Sequence, residues 1–406
     1  MKVLIVNTSV LGSSTGKIAY GFYKHLAGEG HEAVLAYGIG ESVDPGDPKV
    51  VNFVPRLEPK LHFRLNLLTG YHGCFGPIAE RNINRIIDEF KPDIIQLYNL
   101  HGYYLNISRL FRKIAKERIP VVYGMLDEYP YLGYCCYAYD CDGFRSGCRD
   151  CQFDFRDRYL KSLFFNRAKQ TYDLKRRDYD SLERIVFTGP EWVVKRASGS
   201  GLLKGRDVRI VDEYIDNTET FVIRDTKKLR KELGISADKI VILDVAPSAD
   251  RRKGVGFFVK AAERICGLDE RYVFINVGYS GRMEALPENF IGIGYVADQK
   301  KLSEYYSLAD LFVCTSIADT MPNSCLDALS CGTPVLGFDI TGIPYVAEEP
   351  LGTFIDPENV DQMVEHILKT GKKSNKIKES CREYAVNRYS LDTYYKKQME
   401  IYRELL

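Results

Sequence analysis

Short apolar runs of strand length recur along this chain, and the stretches between them repeat apolar residues at helical spacing. Val3–Asn7, Glu32–Tyr37, Asp93–Tyr98, Val121–Gly124 and Arg184–Thr188 read as strands, with Gly16–Gly28, Ile78–Phe90 and Asn106–Glu117 as helices among them. The style repeats further on. Ile240–Val245, Tyr272–Val277, Phe290–Ile293, Leu311–Thr315 and Pro334–Phe338 are strands, and Gly254–Cys266, Lys301–Leu308 and Val360–Lys369 are helices. Such alternation constrains a chain to parallel sheets with right-handed crossovers. A length of 406 residues exceeds one ordinary core, so two α/β, Rossmann-like domains are predicted. The polar, Gly-rich stretch 198–207 and the charged stretch 225–231 flank a junction near residue 220. Ligands of these folds lie at the carboxyl ends of strands, which places the expected cleft between the domains.

Charge excludes one function class. Lys and Arg number 56 against 55 Asp and Glu, so no overall field favours nucleic acid. No apolar run reaches eighteen residues, and Met1–Asn7 reads as a first strand broken at once by Asn7, Thr8 and Ser9 rather than as a leader. A cytoplasmic location is expected, where the eleven cysteines are mostly reduced, buried or metal-bound.

The most informative segment runs from Asp310 to Tyr345. The apolar run Leu311–Cys314 leads into a loop carrying Asp319. Pro322 suits the first turn of the next helix, and Asn323 and Ser324 read as capping it or binding an anion at its dipole-positive end. Asp327 lies on that helix, which Cys331-Gly332-Thr333-Pro334 stops. Two carboxylates eight positions apart, with a phosphate-ready helix start between them, suit a hydroxyl-rich ligand bearing a diphosphate. The competing reading is a strand–helix–strand unit with solvent-facing acids.

This segment resembles the donor-binding signature of the retaining glycosyltransferases of family 4, which have the GT-B fold. Their pattern of Glu, seven residues, Glu, then a Cys-Gly-x-Pro-Val turn appears as Asp319 to Asp327 and Cys331-Gly332-Thr333-Pro334-Val335. The resemblance implies that Asp319 faces the donor sugar and Asp327 the ribose, each one methylene shorter than the usual Glu. It covers Met321 and Pro322 with the helix start. Upstream, Arg251-Arg252-Lys253-Gly254 resembles the family's basic loop, which gives Lys253, and next Arg252, the departing diphosphate. Gly292, Gly294, Tyr295 and Val296 match the loop that receives the base. The implied architecture is residues 1–215 on the acceptor side, 216–388 for the donor, and a final helix in 389–406 crossing back to the first domain.

In the first domain, Gly12-Ser13-Ser14-Thr15-Gly16-Lys17 tempts a P-loop reading. Leu11 stands where the Walker spacing needs glycine, and Ile18 where it needs Ser or Thr, so that reading fails. A Ser/Gly loop at a helix start remains, either touching phosphate or acceptor, as in the family, or serving as a tight turn. His101, in the aromatic loop after Asp93–Tyr98, binds an acceptor hydroxyl or holds its own loop. Leu126-Asp127 stands where relatives carry His-Asp. Asp127 or Glu128 is left to supply charge, or the chain binds without turnover.

Cys135, Cys136, Cys141, Cys148 and Cys151 crowd a predicted insert over 130–155. Cys135, Cys141, Cys148 and Cys151 suit a closed structural zinc site, with disulfides or unligated thiols as alternatives. The cluster resembles an insert of colanic-acid and capsule glycosyltransferases. From Leu57 to Phe75, bulky apolar groups mingle with Arg56, Lys60, His62 and Arg64. That stretch either packs on its own domain or touches a membrane or a lipid-linked acceptor.

The expected function is transfer of a sugar from a nucleoside diphosphate sugar to a hydroxyl of a lipid-linked glycan in capsular, exopolysaccharide or O-antigen assembly. Retention of configuration and chemistry without a cofactor are part of that expectation. The alternatives are a non-catalytic sugar-nucleotide-binding subunit and a GT-B enzyme acting on a soluble sugar phosphate.

Overall fold

The computed structural model describes residues 1–11, 13–40, 46–156, 160–281 and 286–406, in two units: Met1–Glu213 with Tyr394–Leu406, and Tyr214–Thr393. In the first, the elements are Lys2–Asn7 (β1), Ser14–Gly28 (α1), Glu32–Tyr37 (β2), Val50–Asn52 (β3), Glu58–Thr69 (α2), Pro77–Phe90 (α3) and Ile94–Leu97 (β4). Ile107–Glu117 (α4), Val121–Gly124 (β5), Ala168–Asp180 (α5), Ile185–Gly189 (β6), Glu191–Ala197 (α6) and Asp207–Ile210 (β7) follow. Among the described residues the strands form one parallel sheet ordered β3-β2-β1-β4-β5-β6-β7.

The second unit contains Lys227–Glu232 (α7), Ile240–Val245 (β8), Val255–Ile265 (α8), Tyr272–Val277 (β9), Phe290–Ile293 (β10), Gln299–Leu308 (α9) and Leu311–Cys314 (β11). It continues through Asn323–Ser330 (α10), Val335–Phe338 (β12), Gly352–Ile355 (β13), Val360–Lys369 (α11) and Asn375–Tyr389 (α12). Its parallel sheet runs β10-β9-β8-β11-β12-β13. The inner strands are continuous apolar runs because helices cover both faces of a parallel sheet.

Elements absent from the sequence reading have physical reasons. β3, β7 and β13 are edge strands of three or four residues. β7 begins inside the stretch read as a junction. α12 buries only Cys381, Ala385 and Tyr389, a stripe too thin to stand out among its charges.

The last helix, Leu391–Leu405 (α13), carries its buried side chains Tyr394, Met399, Ile401 and Tyr402 into the first unit. The Tyr402 hydroxyl donates to Gln96 Oε1 on β4 at 2.8 Å, and the Tyr394 and Tyr98 hydroxyls share a 2.6 Å bond. Gln398 Nε2 donates to Tyr394 at 3.0 Å, while Phe22 of α1 meets the Tyr394 ring edge-on at 5.2 Å.

α2 is inside out. Its buried positions Glu58, His62 and Asn66, at i, i+4 and i+8, are all polar. Each has a different circumstance. Glu58 accepts the Ile78 and Ala79 amides at 2.9 and 2.8 Å, closing the open start of α3. Asn66 donates to Lys161 O and accepts the Tyr134 hydroxyl, both at 2.8 Å. His62 has neither ring nitrogen bonded, and burial lowers its pKa to about 4.

Two outcomes are expected. Tyr402→Ala leaves a cavity and an unpaired Gln96, lowering stability by about 3–5 kcal/mol in chemical denaturation. His62 stays neutral in the fold while the unfolded chain takes up a proton below about pH 6.5. Its contribution is therefore intact above that pH and is lost as pH falls from about 6.5 towards 4, by roughly 3 kcal/mol. Denaturation midpoints across that window should drop less steeply in His62→Leu than in the parent.

Candidate functional site

In the second unit the chemistry collects at the carboxyl ends of β8 and β11. After β8 the chain makes a 3-10 turn, Arg251–Lys253, started by Asp250, whose Oδ1 accepts the Arg252 amide at 3.0 Å. Gly254 ends the turn at φ +65°, and a Cβ there would stand 2.0 Å from Thr315 O, so only glycine permits the approach. The turn is sewn to the loop after β11: Thr315 Oγ1 donates to Lys253 O, and the Ile317 amide to Arg252 O, both at 2.9 Å.

This docking brings three charges together. Lys253 Nζ lies 2.7 Å from Asp319 Oδ2, and an Arg252 guanidinium nitrogen lies 3.2 Å from the same oxygen. Burial pushes the Asp319 carboxyl up, but the Lys253 and Arg252 charges outweigh it and hold the group below its usual range. Burial pulls Lys253 down, and Asp319 more than reverses that.

The Asp319 loop is clamped from its other side. The Asp319 amide donates to Thr341 Oγ1 at 3.1 Å, and the Gly342 amide to Asp319 O at 2.9 Å. Thr341 is a β-branched residue at φ +53°, a costly conformation, and a Cβ on Gly342 would meet Thr320 O at 1.7 Å. Backbone strain and close approach thus both fix the carboxylate.

α10 starts nearby in sequence, but differently from the expectation. Pro322 is the N-cap, in extended conformation, and not a first-turn residue. Asn323 and Ser324 are the first helical residues and make no capping bond. The first amides of α10 therefore have no side-chain cap, and Asn323 Oδ1 is buried without a partner. Met321 and Asp327 are buried on this loop and helix, while Val296 is half-buried beyond β10, beside the exposed ring of Tyr295.

In the first unit, Gly12 lies outside the described residues. Ser13 is the N-cap of α1: its Oγ accepts the Gly16 amide at 3.1 Å and also pairs with Ser9 and Thr15. Ser14 is exposed and Thr15 half-buried. Gly16 packs close enough that a Cβ would stand 2.9 Å from the Leu11 amide.

At the ends of β4 and β5, His101 Nε2 and Asp127 Oδ2 lie 2.5 Å apart, both residues buried. Asn99 Nδ2 adds a 3.3 Å bond to the same oxygen, and the Tyr129 amide donates to Asp127 Oδ1 at 2.9 Å. The position before Asp127 is Leu126, so the imidazole beside this carboxylate comes from the neighbouring strand. Cys136 Sγ completes a trio with His101 and Asp127 whose ligand atoms lie within 4.8 Å of one another.

Glu128 is committed elsewhere. It accepts the Tyr131 hydroxyl, the Ala138 amide at 2.7 Å and Arg196 Nε at 3.1 Å, holding the Cys-rich segment to α6. Burial leaves its carboxyl above the usual range despite those donors. That makes it a structural group and not a spare charge for chemistry.

The surface around α2 escaped the sequence reading in part. Leu57, Leu61 and Leu68 face outward at 73, 58 and 52% exposure, interleaved with exposed Arg56, Lys60 and Arg64. A cavity of about 770 Å³ opens beside them, lined among others by Leu57, Leu61, Leu65, Phe75 and Ile78. Leu163, Phe164 and Phe165, exposed in their turn, extend this face: the Leu163 amide donates to Leu67 O at 2.9 Å. Their signal was a bare Leu-Phe-Phe triplet without periodicity. Among the described residues no helix is long and apolar enough to cross a membrane.

Residues 225–388 match the family model described as Glycosyl transferases group 1. The chain is 23% identical, over 90% of both chains, to the putative colanic acid biosynthesis glycosyl transferase WcaC of Escherichia coli. It is 24% identical to the alpha-galactosylglucosyldiacylglycerol synthase of Streptococcus pneumoniae, over 47% of this chain and 52% of that one. Anabaena Alr3699/HepE, solved in complex with UDP, superposes with a TM-score of 0.67 at 15% identity, each chain covered completely. The fold is GT-B, and the chain is a glycosyltransferase with a Glycosyl transferases group 1 domain at residues 225–388.

Proposed function

We propose that this enzyme moves a sugar from a nucleoside diphosphate sugar to a hydroxyl of a lipid-linked glycan during surface-polysaccharide assembly, with retention of configuration. The observation that carries the donor half is the half-buried Lys253–Arg252–Asp319 cluster beside the uncapped start of α10. A diphosphate arriving there meets two preorganised cations and free amides at the positive end of a helix dipole. Negative charge grows on the leaving phosphate as the glycosidic bond breaks, so these groups act most strongly at the transition state. Asp319, once Lys253 turns to phosphate, is free to accept hydroxyls of the sugar, and Asp327 on α10 is assigned the ribose. No step in this scheme calls on a metal or other cofactor. Retention rests on the resemblance to family 4, and the HepE complex with UDP favours a nucleoside diphosphate.

The acceptor half is assigned to the first unit. His101, held by Asp127, orients the accepting hydroxyl, and the Ser13–Gly16 loop lines its approach. The lipid link is supported by α2. A helix that buries its polar residues and exposes leucines among Arg56, Lys60 and Arg64 suits an anionic bilayer surface. The adjoining cavity suits the first part of an acceptor's hydrocarbon chain. This reading puts the enzyme at the cytoplasmic face of a membrane as a peripheral protein.

Three measurements test the reading. Purified enzyme incubated with a panel of nucleotide sugars should release nucleoside diphosphate from one of them. Lys253→Ala should cut that rate by about 10²–10³-fold, in line with loss of one preorganised donor to a developing oxyanion. Equal rates in parent and variant would remove Lys253 from the mechanism. The anomeric proton of the product, followed by NMR, should keep the donor's configuration. Co-sedimentation with vesicles containing phosphatidylglycerol should fall several-fold in the double variant Leu61→Asp, Phe164→Asp. Undiminished binding by a correctly folded double variant would remove this face from membrane contact.

A further inference from the structure

The segment between β5 and α5 runs more than forty residues, and among the described ones a short 3-10 turn, Gly143–Arg145, is the only regular structure. A span this long has few backbone bonds of its own and needs another constraint. It also carries Asp127 at its start, so its order bears on the acceptor half.

Cys135, Cys141, Cys148 and Cys151, spaced C-x5-C-x6-C-x2-C, all line one cavity of about 20 Å³, walled otherwise by apolar groups such as Leu132, Phe144 and Phe153. None of the four is in a disulfide. A backbone amide already points at one of the sulfurs, Gly143 N–H reaching Cys141 Sγ at 3.4 Å. Gly133 packs against another, and a Cβ there would lie 2.9 Å from Cys148 Sγ. Gly147 at φ +97° and Cys148 at φ +55° form the tight bend that turns Cys148 inward.

Leu132, which lines the same cavity, is tied to α5: Lys175 of that helix is buried, and its nitrogen donates to Tyr129 O at 2.5 Å and to Leu132 O at 2.9 Å, over the Tyr129 ring at 3.2 Å.

The geometry points to a structural tetrathiolate site for a divalent thiophilic cation, zinc by its chemistry, on Cys135, Cys141, Cys148 and Cys151. All four positions are filled by protein, so the site has no open position for substrate. Among the described residues no three of these four sulfurs lie within 4.8 Å of one another, wider than the roughly 3.8 Å spacing that Zn–S bonds of about 2.3 Å impose, so the proposal requires binding to draw the insert inward. Cys136 is excluded, because its sulfur lies within 4.8 Å of the His101 and Asp127 ligand atoms instead. The cation is a staple for the segment bearing Asp127, and takes no part in transfer.

Metal analysis of the full-length protein, purified without chelator, tests this directly. About one zinc per chain is expected, and zinc replaced by Co²⁺ should give the thiolate charge-transfer and intense visible bands of a tetrahedral tetrathiolate. Cys141→Ser and Cys148→Ser should each lose most of the metal, and Cys266→Ser should keep it. If those variants fail to fold, the zinc ratio and cobalt spectrum of the parent still decide. Metal-free protein in which all eleven thiols react, a disulfide among the four found by mass spectrometry, or bound iron in place of zinc would each overturn the assignment.

Discussion

Three half-buried charges at two strand ends, Lys253, Arg252 and Asp319, set what the second unit can do. Removing charge from water is expensive, and the cost is offset only when partners are close and fixed. Here fixation comes from backbone: glycine at 254 and 342, each too close to a carbonyl for any side chain, and a strained Thr341. The ion pair is thus held by loops that have little freedom to relax. A site organised before its ligand arrives reorganises little when charge shifts during reaction. The same arrangement explains how a carboxylate can lie beside the proposed phosphate site, since Asp319 neutralises cations that would otherwise be half-buried without a counter-charge.

The first unit solves a different problem. α2 sends Glu58 inward to close α3 and Asn66 inward to tie down the segment after residue 160, and the leucines of the helix are left outside. Hydrogen bonding in the interior therefore generates the apolar exterior. Leu163–Phe165, anchored through Leu67 O, broadens that face into one with leucine, phenylalanine and basic side chains together. The structural role of α2 and its proposed interfacial one are two faces of one choice of residues.

Much of this was legible in the sequence. Buried parallel strands are continuous apolar runs, so β5, β8 and β9 have the bounds that hydrophobicity predicts. The turn residues around 331–334 and Lys253-Gly254 marked the loops that follow α10 and β8. Legibility failed where periodicity is weak. The edge strands β3, β7 and β13 are too short for a pattern, and α2 inverts the usual relation between apolar and buried. Capping at α10 was misread by one residue, because Pro322 accommodates the extended N-cap as readily as the first turn. The meeting of His101 with Asp127, 26 residues apart in the chain, depends on two strands being adjacent in the sheet, which no local pattern around Leu126 encodes.

The most direct test is a crystal structure of the enzyme with a nucleoside diphosphate. The account predicts phosphate oxygens within hydrogen-bond reach of Lys253 Nζ and of the first amides of α10, with Lys253 drawn from Asp319. A diphosphate bound elsewhere, with the Lys253–Asp319 pair intact, would contradict it.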